Sequence, residues 1–512
     1  MNDLNNESDG DGRWRFQGLA VFLLIGFGLL PRLAYYLTGR ALWFDEAALC
    51  INILERTFGG LLEPLAFKQV APPLYLWSMK CCTLVFGANV YAVRLPSLVG
   101  GCMALILFWW VARRVLSGRG ALVALYFVAL SQHLINYAGE AKPYATDVAL
   151  ALAVLWMALR WEEKAPAWQR ALRYGGALGL FVWYSFPVVF VIAGVGLARI
   201  FLALWQRDKR AILCLGLLYG LAAGSFLIEY FVAIAPSRGD EATMAYMQFY
   251  WRHGFMPFPP TSHWDIRWYR DRVFMFFDMP GGFTLTGFAL FVWGAGLIGL
   301  MARRFRFAAM ILLPMVLCLA ASSLKLYPFH GRMTLFLAPV IFLLVGEGVA
   351  RLCSIKPHRV GQAIALLALV LLSTQPLVRA LRMTVAPTRH HELERVLEYA
   401  SEHWEEGDRL YLRQGDYISY RFLEGRYDFP EDAVLVEQRK AGLETDEADF
   451  RDEITPQFAA WGRVWFPMSY DNEGAVSEYV GFLGEHGTTV ERFVARGATV
   501  YGVEFGHENG AE

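Results

Sequence analysis

The chain predicts an α-helical polytopic membrane protein of about eleven transmembrane helices with a C-terminal soluble α/β domain. Three observations carry that prediction. Of the 512 residues, 56% are hydrophobic, and before residue 383 they gather into long stretches almost free of charge. The formal balance of 47 basic against 47 acidic residues hides a split. From Thr388 onward there are 12 basic and 27 acidic residues, a net −15, so the first 387 residues carry +15. Such asymmetry marks two parts in different surroundings. The apolar and aromatic content excludes disorder for most of the chain, and the charge-free stretches exclude an ordinary soluble globule.

A helix crosses the hydrocarbon layer with roughly 20 apolar residues. That window places spans near residues 16–38, 94–112, 120–138, 143–160, 174–190, 188–205 and 211–235. Four more follow near 284–302, 307–324, 333–350 and 361–381. The segment from Pro72 to Gly87 is apolar but short and interrupted by Lys80. Charge parity decides its role. If it does not cross, the loops after every second span share one side and hold sixteen cations, from Arg113 to Arg359. Cytoplasmic loops are the ones enriched in Lys and Arg, so Pro72–Gly87 is expected to lie along the outer surface. The plan is then a disordered cytoplasmic stretch 1–15, a membrane domain 16–382 and an outward domain 383–512. Outer loops cover 39–93 and 236–283. The expected location is a plasma membrane, with the N-terminus cytoplasmic.

In the acidic tail, Arg409–Arg413, Ala433–Glu437, Arg463–Pro467 and Ala498–Phe505 read as strands. Glu392–Trp404 and Ala475–His486 read as amphipathic helices. All seven cysteines precede this domain, scattered over the spans, and give neither a disulfide nor a metal pattern.

Candidate chemistry gathers on the outer side. The first outer loop opens with Trp43-Phe44-Asp45-Glu46-Ala47. A carboxylate at a low-dielectric boundary is expected to have a raised pKa, which suits a base. Equally, two carboxylates there fit the first turn of an interfacial helix. Lys68, Arg94, Lys142, Lys325 and Arg332 lie on the same side, where cations are scarce. Each alone fits snorkelling to lipid phosphates; as a set they fit a phosphate whose lipid tail stays in the bilayer. Glu229 lies within a span and fits either a cavity wall or a snorkelling group. Loop 236–283 interleaves Tyr246, Trp251, Trp264 and Trp268 with arginines, a pattern of interfacial anchoring or of sugar stacking.

These pieces in this order resemble the GT-C membrane glycosyltransferases, in the branch of the protein O-mannosyltransferases and lipid A aminoarabinose transferases. The resemblance rests on Trp43–Ala47, Pro72-Pro73-Leu74-Tyr75 and Val93-Arg94-Leu95-Pro96-Ser97, and more loosely on Tyr137–Tyr144 and Gly331-Arg332-Met333. It covers most of residues 16–350. It implies a polyprenyl-phosphate sugar donor and inversion at the anomeric carbon. By the same resemblance, Asp45 is the general base and Glu46 assists it, positioning it or holding a neighbouring cation. Lys68, Arg94, Lys142, His330 and Arg332 are implied to hold the donor phosphate, with Glu140, Tyr144 and Glu229 as further cavity residues. Met333 departs from the family pattern, in which an aromatic residue commonly follows the arginine. Lys68 departs too, because three residues separate it from the proline pair.

No cofactor is required by that chemistry, and no His/Cys cluster asks for a metal. The partners expected are membrane lipid, the lipid-linked donor and an acceptor that is a glycolipid, a polysaccharide or a protein; no nucleic acid is expected. Two other functions fit the architecture: a lipid-linked glycan ligase or polymerase, and a transporter or flippase. A transporter would place ionisable groups near the bilayer midplane and broken helices in paired repeats. Here the polar groups gather at one edge.

Overall fold

The computed structural model describes residues 4–162, 165–387, 392–423, 426–437, 462–469, 480–481 and 483–505. The helical body runs α1 Leu4–Leu37, α2 Phe44–Glu55, α3 Pro73–Phe86, α4 Val90–Val115, α5 Gly118–Leu130 and α6 Gln132–Ala138. It continues with α7 Tyr144–Glu162, α8 Trp168–Tyr184, α9 Val188–Trp205, α10 Lys209–Glu229, α11 Ala235–Gly239, α12 Glu241–Tyr250 and α13 His263–Asp278. The long helices α14 Thr286–Ser323, α15 Ala338–Cys353 and α16 His358–Val385 complete it. Among the described residues, eight helices are long and apolar enough to cross a membrane, and the pair α5–α6, bent by 53°, adds a ninth. Ser131 makes that bend, its hydroxyl accepting the Leu134 N–H to restart the helix. α1 begins at Leu4, ahead of the expected start at Phe16.

Two expected spans, 284–302 and 307–324, fall on the single 38-residue run α14. A straight helix of that length would hold its ends about 50 Å apart. Instead Gly287 sits against Phe274 while Ser322 accepts the Met256 N–H and donates to the Gly254 carbonyl. Arg272, two residues from Phe274, in turn donates to the His253 carbonyl. Both ends of α14 therefore meet the same 251–279 segment. The run is two antiparallel arms joined at Arg304, whose φ of −142° and ψ of 56° are not helical. Pro314 of the second arm lies against Gly194 of α9, and the first arm packs on α15, the most buried of the long helices. There Gly296 and Gly348 bring the backbones so close that a Cβ at Gly296 would lie 1.9 Å from the Leu344 carbonyl oxygen.

The segment between α1 and α4 forms a platform on one side of the body. α3 is a 14-residue helix, packed against the end of α8 through Tyr75 and Tyr184. The C-terminal domain rests on this platform. It contains α17 Leu393–Glu402, α18 Gln414–Leu423 and a five-stranded sheet. Its strands are β1 Arg409–Leu412, β2 Val434–Val436, β3 Arg463–Met468, β4 Thr488–Ala495 and β5 Ala498–Glu504, in the order β2-β1-β3-β5-β4. β1 pairs parallel with β2 and β3, and β5 pairs antiparallel with β3 and β4. All four expected strands are present. β4 and α18 were not foreseen, and most of the expected helix Ala475–His486 lies outside the described residues. Leu393, Val396, Leu410 and Trp465 share one apolar core with Leu49, Ile53, Leu76 and Met79 of α2 and α3, and Arg421 pairs with Glu55.

Candidate active site

Asp45 and Glu46 occupy the first turn of α2, where unpaired helix N–H groups and the helix dipole favour carboxylates. Adjacent residues on a helix point about 100° apart, so the two carboxylates enter different surroundings.

Glu46 points inward and has no exposed surface. Its Oε2 accepts from Arg40 Nη1 at 2.9 Å and from Arg94 Nη2 at 2.8 Å; its Oε1 accepts from Arg94 Nε at 2.9 Å and from the Ala141 N–H at 2.7 Å. Arg94 also donates to the Arg40 and Ala41 carbonyls, and Arg40 to the Gly139 carbonyl. One buried carboxylate thus ties the α1–α2 turn, α4 and the 139–143 loop together. Burial acts to raise its pKa, but the two guanidiniums and the Ala141 N–H hold it well below the usual carboxylate range. Arg94, expected to meet a donor phosphate, is instead committed to Glu46 and only 2% exposed. Sequence reasoning missed Arg40 altogether. Its signal was weak, a single cation at the end of the first span.

Asp45 faces the other way, toward a partly open rim. Its Oδ1 lies 3.0 Å from Lys142 Nζ and accepts from Gln69 Nε2 at 3.2 Å; its Oδ2 lies 3.1 Å from Arg332 Nη2. Lys142 Nζ also donates to Gln69 Oε1 at 2.7 Å. Gln69 therefore spans the carboxylate and the lysine with the two ends of one amide. It was not foreseen, because a neutral amide leaves no charge signature. The expected rise in the Asp45 pKa is overturned. Burial does push it up, but Lys142 and Arg332 push harder, so the group is lowered and stands as a carboxylate.

Arg332 comes from the turn before α15. Its guanidinium carbon is 5.7 Å from the rings of Trp43, Tyr144 and Trp251 alike. Three aromatic rings thus surround the cation and shield most of it from water. Tyr144 in turn packs edge-on against Tyr137 at 5.1 Å. Lys68 is exposed, its ammonium 4.7 Å from the Tyr246 ring, on a backbone with φ of 54°. His330 packs edge-on against Trp251 at 6.0 Å, and its Nδ1 is buried without a hydrogen-bond partner among the described residues. Burial, reinforced by Arg272, His253 and Arg332, pushes its pKa down to about 4, so it is a neutral ring and not a cation. Glu140, with Oε2 buried and without a hydrogen-bond partner among the described residues, is raised chiefly by burial. Glu229 is fully buried where α10 widens into the π-helical turn Tyr230–Ile234, with no contact to Asp45. The structure thus joins Asp45, Lys142, Tyr144 and Arg332 in one site, and puts Lys68, Glu140 and His330 at or near its margin. Arg94 and Glu46 form a layer beneath it, and Glu229 lies elsewhere.

Comparison with known proteins points the same way. Residues 70–232 match the family model described as dolichyl-phosphate-mannose-protein mannosyltransferase. The undecaprenyl phosphate-α-4-amino-4-deoxy-L-arabinose arabinosyl transferase of Pseudomonas aeruginosa is 25% identical over 248 residues, 46% of this chain and 42% of that protein. Its namesake from Edwardsiella ictaluri is 26% identical over 237 residues, 43% of this chain and 39% of that protein. The chain therefore spans about two fifths of the length of the curated relatives it matches. Among solved structures, ArnT from Cupriavidus metallidurans bound to undecaprenyl phosphate superposes with a TM-score of 0.53 at 13% identity, covering 94% of this chain and 97% of that one. The oligosaccharyltransferase of Archaeoglobus fulgidus superposes with a TM-score of 0.55 at 13% identity, covering 91% and 69%. The chain is thus a multi-pass membrane protein with the GT-C fold, the fold it shares with those transferases.

Proposed function

We propose that this protein is a membrane glycosyltransferase that moves a sugar from a polyprenyl-phosphate donor to an acceptor hydroxyl, with inversion and with Asp45 as general base. One observation carries this proposal: a partly exposed carboxylate held between Lys142 and Arg332, at a rim walled by Trp43, Tyr144 and Trp251. A lipid-phosphate leaving group gains negative charge as the glycosidic bond breaks, and fixed cations in a dry site stabilise that charge. Lys142 and Arg332 are the cations at hand, with Lys68 on the exposed edge. As the donor phosphate draws them, Asp45 loses partners, its proton affinity rises, and it takes the acceptor proton. Glu46 and Arg94 fix the backbone from which Asp45 projects. The chemistry calls for no resident cofactor or metal. That undecaprenyl phosphate occupies the fold-mate from Cupriavidus metallidurans supports this donor class.

The sixteen cations of the alternate loops set the orientation by the rule that cytoplasmic loops are basic. The Asp45 rim and the C-terminal domain then face away from the cytoplasm, in the bacterial inner membrane. The test is to offer the purified full-length protein in nanodiscs a panel of polyprenyl-phosphate pentoses and hexoses and to follow free polyprenyl phosphate by mass spectrometry. Release from one donor class is expected. Intact donor throughout, with the protein folded, would overturn the assignment.

A further inference from the structure

Between α6, the end of α13 and α16 lies a cavity of about 410 Å³ that the proposed reaction does not use. Its size falls at the low end of the ~300–1,000 Å³ typical of small-molecule pockets. Gln132 and His133 of α6, Asp278 and Met279 at the end of α13, and Arg379 and Arg382 of α16 line it. The two arginines are three residues apart, so their side chains leave the same face of α16. Neither guanidinium makes a hydrogen bond or an ion pair among the described residues, nor does the Asp278 carboxylate. His133 is held at the cavity wall by its Nε2, 3.2 Å from the Asp278 carbonyl oxygen.

Two cations and one anion face this open-sided cavity, Arg379 half-buried and Arg382 and Asp278 on its exposed rim, and together they have a definite chemical complement. The arginines suit the oxygens of a phosphodiester, and the carboxylate suits a primary ammonium. The surroundings supply the rest. Val378, Leu381 and Val385, interleaved with the arginines on α16, are exposed by 58%, 43% and 83%. On a helix that the fold sets in the bilayer, such residues lie against acyl chains. We propose that this cavity is a binding site for a membrane-lipid headgroup that carries both a phosphate and a primary ammonium, with its tails along α16. A chain of side chains connects this cavity to the Arg332 cage. His133 and Tyr137 are one turn apart on α6, and Tyr137 packs on Tyr144 of the Arg332 cage. Met279 lines both this cavity and the small hollow that reaches His330 and Gly331.

The test uses the full-length protein, purified in mild detergent and stripped of lipid. It is mixed with equal amounts of phosphatidylethanolamine, phosphatidylglycerol and phosphatidylcholine of matched chains, and retained lipid is read by native mass spectrometry. The protein is expected to enrich phosphatidylethanolamine about fivefold or more over the other two. Arg379→Gln with Arg382→Gln should lower total retention about tenfold, whereas Asp278→Asn should keep lipid but lose the preference over phosphatidylglycerol. Equal retention of the three lipids by the unaltered protein overturns the proposal whatever the variants do. Preference for phosphatidylglycerol, or undiminished binding by the double variant, also overturns it.

Discussion

Removing the Glu46 carboxylate should damage this protein through its fold. The group is fully buried and accepts from Arg40, Arg94 and the Ala141 N–H. In Glu46→Ala the two arginines, with side chains 5% and 2% exposed, lose their only carboxylate among the described residues. Breaking a buried ion pair by deleting one partner costs about 3–5 kcal/mol, because the remaining charge is left desolvated. Two stranded guanidiniums and an orphaned N–H place this case toward the upper figure. Taking roughly 2 °C of Tm per kcal/mol for a large domain, the fall should be on the order of 6–10 °C. Thermal unfolding of purified protein, followed by intrinsic tryptophan fluorescence, reads it directly. A Glu46→Ala protein melting within about 2 °C of the unaltered one would refute the idea that this carboxylate clamps three segments together.

Gln69→Leu keeps the volume but removes both ends of the amide that joins Asp45 to Lys142; turnover should fall about tenfold, with Tm little changed, in the same nanodisc assay. Arg332→Lys retains charge yet loses the planar guanidinium set among Trp43, Tyr144 and Trp251, so donor turnover should drop by about tenfold or more; a variant at full rate would show that charge alone suffices. Glu140 gives a pH test. Its pKa is raised in the folded protein, so the folded state holds a proton that the unfolded chain releases, and stability declines as pH rises above roughly 4.3. Glu140→Gln should therefore gain Tm over the unaltered protein increasingly as pH rises from about 4.3 to about 7 and hold that gain above, and a pH-independent difference would count against the buried carboxyl.

Much of this organisation was legible in the chain because it follows from bulk physics. Span-length apolar runs, alternating basic loops and a −15 tail map onto helices, bends and a separate sheet domain. The Asp45, Lys142 and Arg332 grouping was legible too, since scarce charges on one side of a membrane tend to meet. Contacts made by neutral or embedded groups were not. Gln69 reaches Lys142 across 73 residues, and Arg94 reaches Glu46 across 48, and neither separation leaves a local pattern. Hence Arg94 read as a phosphate ligand although it faces inward. The reversal inside the run α14 was legible as well, because Arg303, Arg304 and Arg306 separate the two expected spans 284–302 and 307–324 where the helix breaks at Arg304. β4 escaped notice because it is an edge strand with most of its side chains exposed, and so shows no buried alternation.

The central claim is that the rim carboxylate performs the chemistry while its neighbour holds the fold. Single-turnover transfer by Asp45→Asn tests it most directly, measured beside the unaltered protein on whichever polyprenyl-phosphate sugar that protein consumes. The asparagine keeps the size and its contact with Gln69 but cannot accept a proton. Transfer should slow by about 10²–10⁴-fold, the usual contribution of a general base, with Tm close to that of the unaltered protein. Transfer at an unchanged rate by a folded Asp45→Asn protein would contradict the account.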